Sequence, residues 1–142
     1  MKYSRQSHVI YYARYHLVIC ARYRRKIFKD AMGDYAMKCV KGVQRRKPEI
    51  KIEEINVDKD HMHMLVTIPP KYSVSSVVCL IKSNVARVMR KRYDFLRKMY
   101  VNKAGMWSVG YFVSTVGLNE ESIRKYIEYQ GREDRGQEQL DF

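Results

Sequence analysis

The segment IKIEEINVDKDHMHMLVTI, residues 50–68, decides the predicted fold. Its β-branched and apolar residues predict one strand over residues 50–57 and another over residues 61–68. The intervening Asp58-Lys59-Asp60 run has the composition of a turn, and the two prolines after Ile68 end the second strand. The segment therefore predicts a β-hairpin.

The elements on either side complete a mixed pattern of strands and helices. The sequence predicts a strand over residues 8–23, a helix over residues 28–46, a helix from Ser73 or Ser75 to about Tyr100, a strand over residues 107–116 and a last helix capped by Asn119. This order predicts an α+β, ferredoxin-like (RRM-like) sandwich, with a four-stranded antiparallel sheet, helices on one face and a C-terminal helix that bears Tyr126. The 142 residues predict one domain, residues 1–142, whose polar end over about residues 131–142 is expected to be a flexible tail.

The composition favours a polyanionic partner. Lysine and arginine number 28 against 15 acidic residues, so the net charge is +13, and nucleic acid is the expected partner. No apolar run approaches the roughly 20 residues of a membrane helix, and the N-terminus lacks a signal-peptide pattern. We therefore expect a cytoplasmic protein with no membrane partner. Its three cysteines, Cys20, Cys39 and Cys79, are expected to be buried thiols.

Two histidines in the predicted hairpin could ligate one cation. His61 and His63 are separated by one residue on a predicted strand, so both side chains point to the same face. The alternative is a pair of ordinary histidines that pack and donate hydrogen bonds.

A tyrosine and a glutamine on the last predicted helix form a second pattern. Tyr126 and Gln130 are four residues apart and share one helix face, so Gln130 could add an oxygen ligand beside Tyr126. The alternative is that Tyr126 only packs on the core. Tyr129 is a competing nucleophile, ranked lower because it is predicted to point away from Gln130.

These patterns together resemble the HUH superfamily of single-strand DNA nucleases, and in particular its single-tyrosine transposases of the insertion-sequence 200/605 group. His61-Met62-His63 is similar to the His-hydrophobic-His strand of that superfamily. Tyr126 and Gln130 are similar to the tyrosine helix of the group. Residues 15–18 and 23–26 are similar to the first strand and basic corner of the group, and residues 107–117 are similar to its last strand, so the likeness covers nearly the whole chain.

The resemblance implies a mechanism. Tyr126 would attack a phosphodiester and form a 5′-phosphotyrosine link, while His61, His63 and Gln130 hold Mg²⁺ or Mn²⁺. Asp58 or Asp60 would add a direct or outer contact to the metal. The resemblance further implies a homodimer that acts on hairpin ends of single-stranded DNA, with Gly117 as a hinge for the tyrosine helix.

Basic residues in two regions are candidates for contact with DNA phosphates. Tyrosine and arginine alternate in the first region, which suits stacking on unpaired bases as well. The second region lies in the predicted helix after residue 73, where the alternative is a solvated helix face. The candidates are Arg22, Tyr23, Arg24, Arg25 and Lys26 in the first region, and Arg87, Arg90 and Lys91 in the second.

Two other functions fit parts of the pattern. A non-catalytic module that binds single-stranded nucleic acid would share the sheet and the charge, but would need no paired histidines. A replication initiator or relaxase of the HUH type would share the chemistry, but usually adds a further domain.

Overall fold

A computed structural model describes residues 3–6, 9–100, 105–115 and 120–140 of the chain. The elements in chain order are β1 (Ser4–Gln6), β2 (Val9–Tyr11), β3 (Arg14–Cys20), a 3-10 turn (Arg22–Arg24), α1 (Asp30–Arg46), β4 (Lys51–Val57), β5 (His61–Thr67), α2 (Val74–Arg92), α3 (Phe95–Met99), β6 (Phe112–Ser114) and α4 (Glu120–Leu140). None of the helices in these ranges is long and apolar enough to cross a membrane.

The main sheet has four antiparallel strands in the order β4-β5-β3-β6. This confirms the predicted ferredoxin-like arrangement. Strand β5 lies between β4 and β3, so the predicted hairpin supplies one edge strand, β4, and one central strand, β5. Leu17 and Ile19 of β3 point to one face and pack with α1 and α2, whereas Val18 and Cys20 point to the other face and pack with Ile127 of α4.

The strand predicted over residues 8–23 is in fact three separate elements. Residue 8 lies outside the described residues, and β2 pairs with β1 in a small sheet of its own. The main sheet begins after Tyr12, where the Ala13 carbonyl accepts a hydrogen bond from the Ile68 amide at 2.9 Å. At its other end, Tyr23 and Arg24 adopt left-handed φ values of 62° and 52°, which a strand does not allow.

Two further boundaries differ from the prediction. Ser73 caps α2 as predicted, accepting a hydrogen bond from the Ser76 amide at 3.1 Å, but α2 ends at Arg92 and a short α3 follows. The break lets Tyr93 pack edge-on against Tyr35, with ring centroids 5.9 Å apart. The predicted strand over residues 107–116 is regular only at β6, because Gly110 has a φ of 91°.

Residues 131–140, expected to be part of a flexible tail, are helical and belong to α4. Helix α4 extends to Leu140, and within it Asp134 is 1% exposed. Asp134 accepts hydrogen bonds from the main part of the fold, and these contacts fix the segment in place. The predicted cap Asn119 and hinge Gly117 lie outside the described residues. Of the cysteines, Cys20 and Cys39 are buried as predicted, but Cys79 is exposed.

Candidate active site

His61 and His63 both line one cavity beneath α4. We call it the histidine cavity; it has a volume of about 460 Å³ and is lined by Arg24, Asp58, Asp60, His61, His63, Ile123, Arg124 and Ile127. Strand alternation places both rings on the face that α4 covers, as the sequence predicted. Ile123 and Ile127, one helical turn apart on α4, form the apolar wall of the cavity.

Asp60 orients the ring of His61. Its carboxylate oxygen Oδ1 lies 2.8 Å from His61 Nδ1, so Nδ1 donates and the lone pair of Nε2 is available to a ligand. This hydrogen bond, supported by the nearby Arg24 guanidinium, holds the pKa of the Asp60 carboxyl below its usual value. The carboxylate is therefore charged at neutral pH.

His63 is held in its neutral form. Burial, with the positive charge that the His61 and His16 rings can carry, lowers the pKa of His63. A neutral imidazole is the form that ligates a metal ion. His63 thus has the protonation state that a divalent cation requires, and the two rings share one cavity in which they could bind it.

Tyr126 and Gln130 lie in a second cavity. We call it the tyrosine cavity; it has a volume of about 330 Å³ and is lined by Val109, Gly110, Tyr111, Tyr126, Tyr129, Gln130, Glu133 and Asp134. Gln130 Nε2 donates a hydrogen bond to the Tyr126 hydroxyl at 3.1 Å, which confirms the shared helix face. The same nitrogen donates a short hydrogen bond to the Val109 carbonyl. Tyr129 also lines this cavity, with a side chain that is 52% exposed.

The environment of Tyr126 does not activate its hydroxyl. Burial raises the pKa of Tyr126 to about 12, an effect that the hydrogen bond from Gln130 only partly offsets. The ring packs against Phe112, with centroids 5.8 Å apart. At neutral pH the phenol is therefore protonated in this position and a weak nucleophile.

The structure does not bring the two predicted halves of the site into one cavity. Phe112 and His63 pair with Val18 from opposite sides, so two strand spacings, about 10 Å, separate them. Gln130 lies with Tyr126 rather than with the histidines. Within the part of the chain that is described, no group of three or more histidine, cysteine or acidic side chains could hold a metal ion. His61 and His63 fit a metal site, whereas Gln130 does not reach it in this arrangement.

The predicted basic residues divide by location. Arg24 lines the histidine cavity and Lys26 is exposed. Arg22 is 8% exposed, so it is too buried for the predicted phosphate contact. Arg25 donates to the Met99 carbonyl at 3.1 Å and lies 5.4 Å from the centre of the Tyr23 ring, which occupies both side chains within the fold.

The second basic region lies away from both cavities. Arg87, Arg90 and Lys91 belong to α2, which packs on the opposite face of the sheet from α4. Arg87 and Lys91 are exposed there, and Arg90 is half-buried. Any contact they make with DNA would be remote from the histidines.

Sequence reasoning missed Asp134, Ser108 and Arg124. Asp134 Oδ2 accepts hydrogen bonds from the Tyr23 amide at 2.8 Å and from the Ser108 hydroxyl at 2.5 Å. Arg124 lines the histidine cavity from α4. The spacing of Asp134 from Tyr126 and Gln130, eight and four residues, was a usable signal, because it continues the same helix face.

Comparison with known proteins identifies the family. The family model described as IS200-like transposase matches residues 9–130. The chain is 34% identical over 138 residues to the transposase for insertion sequence element IS200 of Salmonella typhimurium, covering 94% of this chain and 87% of the relative. It is 26% identical over 122 residues to the ISDra2 transposase TnpA of Deinococcus radiodurans, covering 85% and 86%. The chain therefore belongs to the IS200-like transposase family of DNA-processing enzymes.

Solved structures agree on the fold. A crystal structure of a candidate transposase from Deinococcus radiodurans R1 aligns with a TM-score of 0.79 at 23% identity, covering 89% of this chain and 97% of the other. A REP-associated tyrosine transposase bound to a REP hairpin aligns with a TM-score of 0.53 at 18% identity, covering 91% and 70%. At these identities the likeness supports the α+β fold alone.

Proposed function

We propose that this transposase cuts and rejoins single-stranded DNA at the ends of an insertion sequence, with Tyr126 as the nucleophile. We further propose that His61 and His63 hold a divalent cation, Mg²⁺ or Mn²⁺. The observation that carries the proposal is the histidine cavity, where one imidazole is oriented by a charged carboxylate and the other is kept neutral. A bound cation would polarise the scissile phosphate and neutralise its developing charge.

The proposed covalent step is a transesterification that needs no outside energy source. The Tyr126 oxygen attacks phosphorus, the bond from phosphorus to the 3′-oxygen breaks, and the phenol proton ends on that 3′-oxygen. The products are a 5′-phosphotyrosine and a free 3′-hydroxyl. Because the phosphodiester energy is kept in the new link, attack by a 3′-hydroxyl can rejoin the strand without ATP.

The reaction requires the two cavities to act together. Tyr126 must leave its contact with Phe112 and approach the histidines of its own subunit or of a partner. We propose a homodimer in which α4 supplies Tyr126, with Gln130 as a third ligand once α4 has moved. We also propose that the DNA ends are hairpins, as in the REP hairpin complex of a structural neighbour.

The test is a cleavage assay on a labelled single strand that contains a hairpin, with and without Mg²⁺. We expect a covalent protein–DNA adduct and a free 3′-hydroxyl product only when the metal is present. Binding of the strand without cleavage in Mg²⁺ or Mn²⁺ would instead support the non-catalytic binding module. Cleavage that persists in a chelator would contradict the metal site.

A further inference from the structure

The turn after β3 delivers one arginine into the histidine cavity. Arg24 lines this cavity with a side chain 43% exposed, and its Nε lies 3.4 Å from Asp60 Oδ2. Asp60 in turn holds His61, so Arg24 is one residue removed from a proposed metal ligand. A guanidinium has five N–H donors, and the contact with Asp60 uses one of them.

The backbone of this turn is strained in a way that aims Arg24. Tyr23 and Arg24 both have left-handed φ values, 62° and 52°, which side chains with a Cβ rarely adopt. The turn is held by the hydrogen bond from the Tyr23 amide to Asp134 at 2.8 Å and by the bond from the Arg24 amide to the Ala21 carbonyl at 3.0 Å. Strain of this kind persists where the surrounding structure enforces it, often at a functional site.

Helix α4 leaves a notch for the arginine side chain. A methyl group added at Gly131 would lie 2.7 Å from Arg24 Cδ, so the aliphatic part of Arg24 crosses α4 at this glycine. Gly131 is buried in α4. Gly136 of the same helix has no atom within 4 Å of the equivalent position, so close approach is specific to Gly131.

A DNA phosphate in this cavity requires a positively charged partner, because two acidic side chains line the cavity. Asp58 and Asp60 both line it and would repel a DNA phosphate. Arg124 also lines the cavity, but from an exposed position on α4. Arg24 is anchored on the sheet side, where it can meet the phosphate bidentately while remaining paired with Asp60.

We propose that Arg24 binds the scissile phosphate and stabilises its transition-state charge, and that Gly131 and Asp134 of α4 position it in the cavity before the helix moves. This inference rests on the proposed function. It makes Arg24 a catalytic residue, distinct in role from the exposed Lys26 nearby. Removing a donor of this kind usually costs about 10²–10³-fold in rate.

The experiment measures adduct formation in single turnovers and hairpin-strand binding separately. We expect Arg24→Ala to slow adduct formation about 10²-fold with Kd changed by a few-fold at most, and Arg24→Lys to recover part of the rate. Lys29→Ala, which removes an equal charge from an exposed position five residues further along the chain, should keep the rate. Arg124→Ala tests the other cavity arginine and should lose less than Arg24→Ala.

A glycine pair tests the positioning without touching Arg24. Gly131→Ala should slow adduct formation because the new methyl displaces Arg24, whereas Gly136→Ala should not. Both changes raise helix propensity equally, so their difference isolates the contact. An unimpaired Arg24→Ala, or equal losses in Arg24→Ala and Lys29→Ala, would overturn the assignment. Absence of any adduct in the wild-type protein would instead remove the proposed function as well.

Discussion

The two cavities beneath α4 differ in what they can do. The histidine cavity is lined by charged side chains and by the two imidazoles that we propose as metal ligands, one of which Asp60 orients. The tyrosine cavity holds a buried phenol whose pKa is raised and whose hydroxyl is hydrogen-bonded within α4. The side chains that we propose for one reaction therefore lie in two separate cavities on the same face of the sheet. We infer that the helix, rather than the sheet, is the part that must move.

Of the changes that test this comparison, replacement of Tyr126 should have the largest effect, which is on adduct formation. Tyr126→Phe removes the nucleophile and should abolish adduct formation while binding of a single-stranded hairpin persists. Tyr129→Phe is the matched control, because Tyr129 lines the same cavity but is 52% exposed. Denaturing gels of labelled DNA would measure both. Adducts in Tyr126→Phe, or their loss only in Tyr129→Phe, would move the nucleophile to the other tyrosine.

The second-largest effect should come from replacing Asp60 in the histidine cavity, and it should fall on metal affinity. Asp60→Asn weakens the hydrogen bond that orients His61, so we expect a loss of about 10–100-fold in metal affinity. The affinity can be measured from the Mn²⁺ concentration that half-saturates cleavage. Asp58→Asn is the control, since the side chain of Asp58 lines the cavity and makes no hydrogen bond to either histidine among the contacts described. Equal losses in both variants would argue for a general charge effect.

Replacement of Gln130 should lower the free energy of unfolding, whether or not Gln130 also binds the metal. Gln130→Ala leaves the Val109 carbonyl and the Tyr126 hydroxyl without their shared donor. We expect a fall of about 1–3 kcal/mol in the free energy of unfolding, measured in urea. Glu133→Ala, at an exposed position of the same cavity, should change it by no more than about 0.5 kcal/mol. Equal stability of Gln130→Ala and wild type would mean that these bonds do not hold α4.

The smallest effect should appear in an alkaline titration. The pKa of Tyr126 is about 12 in the folded protein and about 10 when unfolded. Its contribution to stability is therefore complete below pH 10 and is lost as pH rises towards 12. Ultraviolet titration should show one fewer late-ionising tyrosine in Tyr126→Phe. An unchanged late phase would place the Tyr126 ring in solvent rather than against Phe112.

The sequence predicted the contents of each cavity better than their relation. Strand alternation placed His61 and His63 together, and helical spacing placed Tyr126 beside Gln130, because both depend on local geometry alone. The side of the helix that meets the histidines depends on how Ile127 packs on Val18 and Cys20. Nothing in a single sequence fixes that long-range contact.

The missed features share the same cause. The left-handed turn at Tyr23 and Arg24 interrupts a segment with strong strand propensity, since tertiary contacts override local preference. Asp134, in a stretch expected to be a tail, is the acceptor that holds this turn. Its spacing from Tyr126 and Gln130 places it on their helix face, but the polar composition of the segment does not indicate that its side chain is buried.

The measurement that tests the central claim most directly is peptide mapping of the covalent complex by mass spectrometry. After incubation with a hairpin-containing single strand and Mg²⁺, we predict a 5′-phosphate linked to Tyr126 in the wild-type protein and no link in His61→Ala. A linkage on Tyr129 or on another side chain, or equal adduct in His61→Ala, would contradict the account.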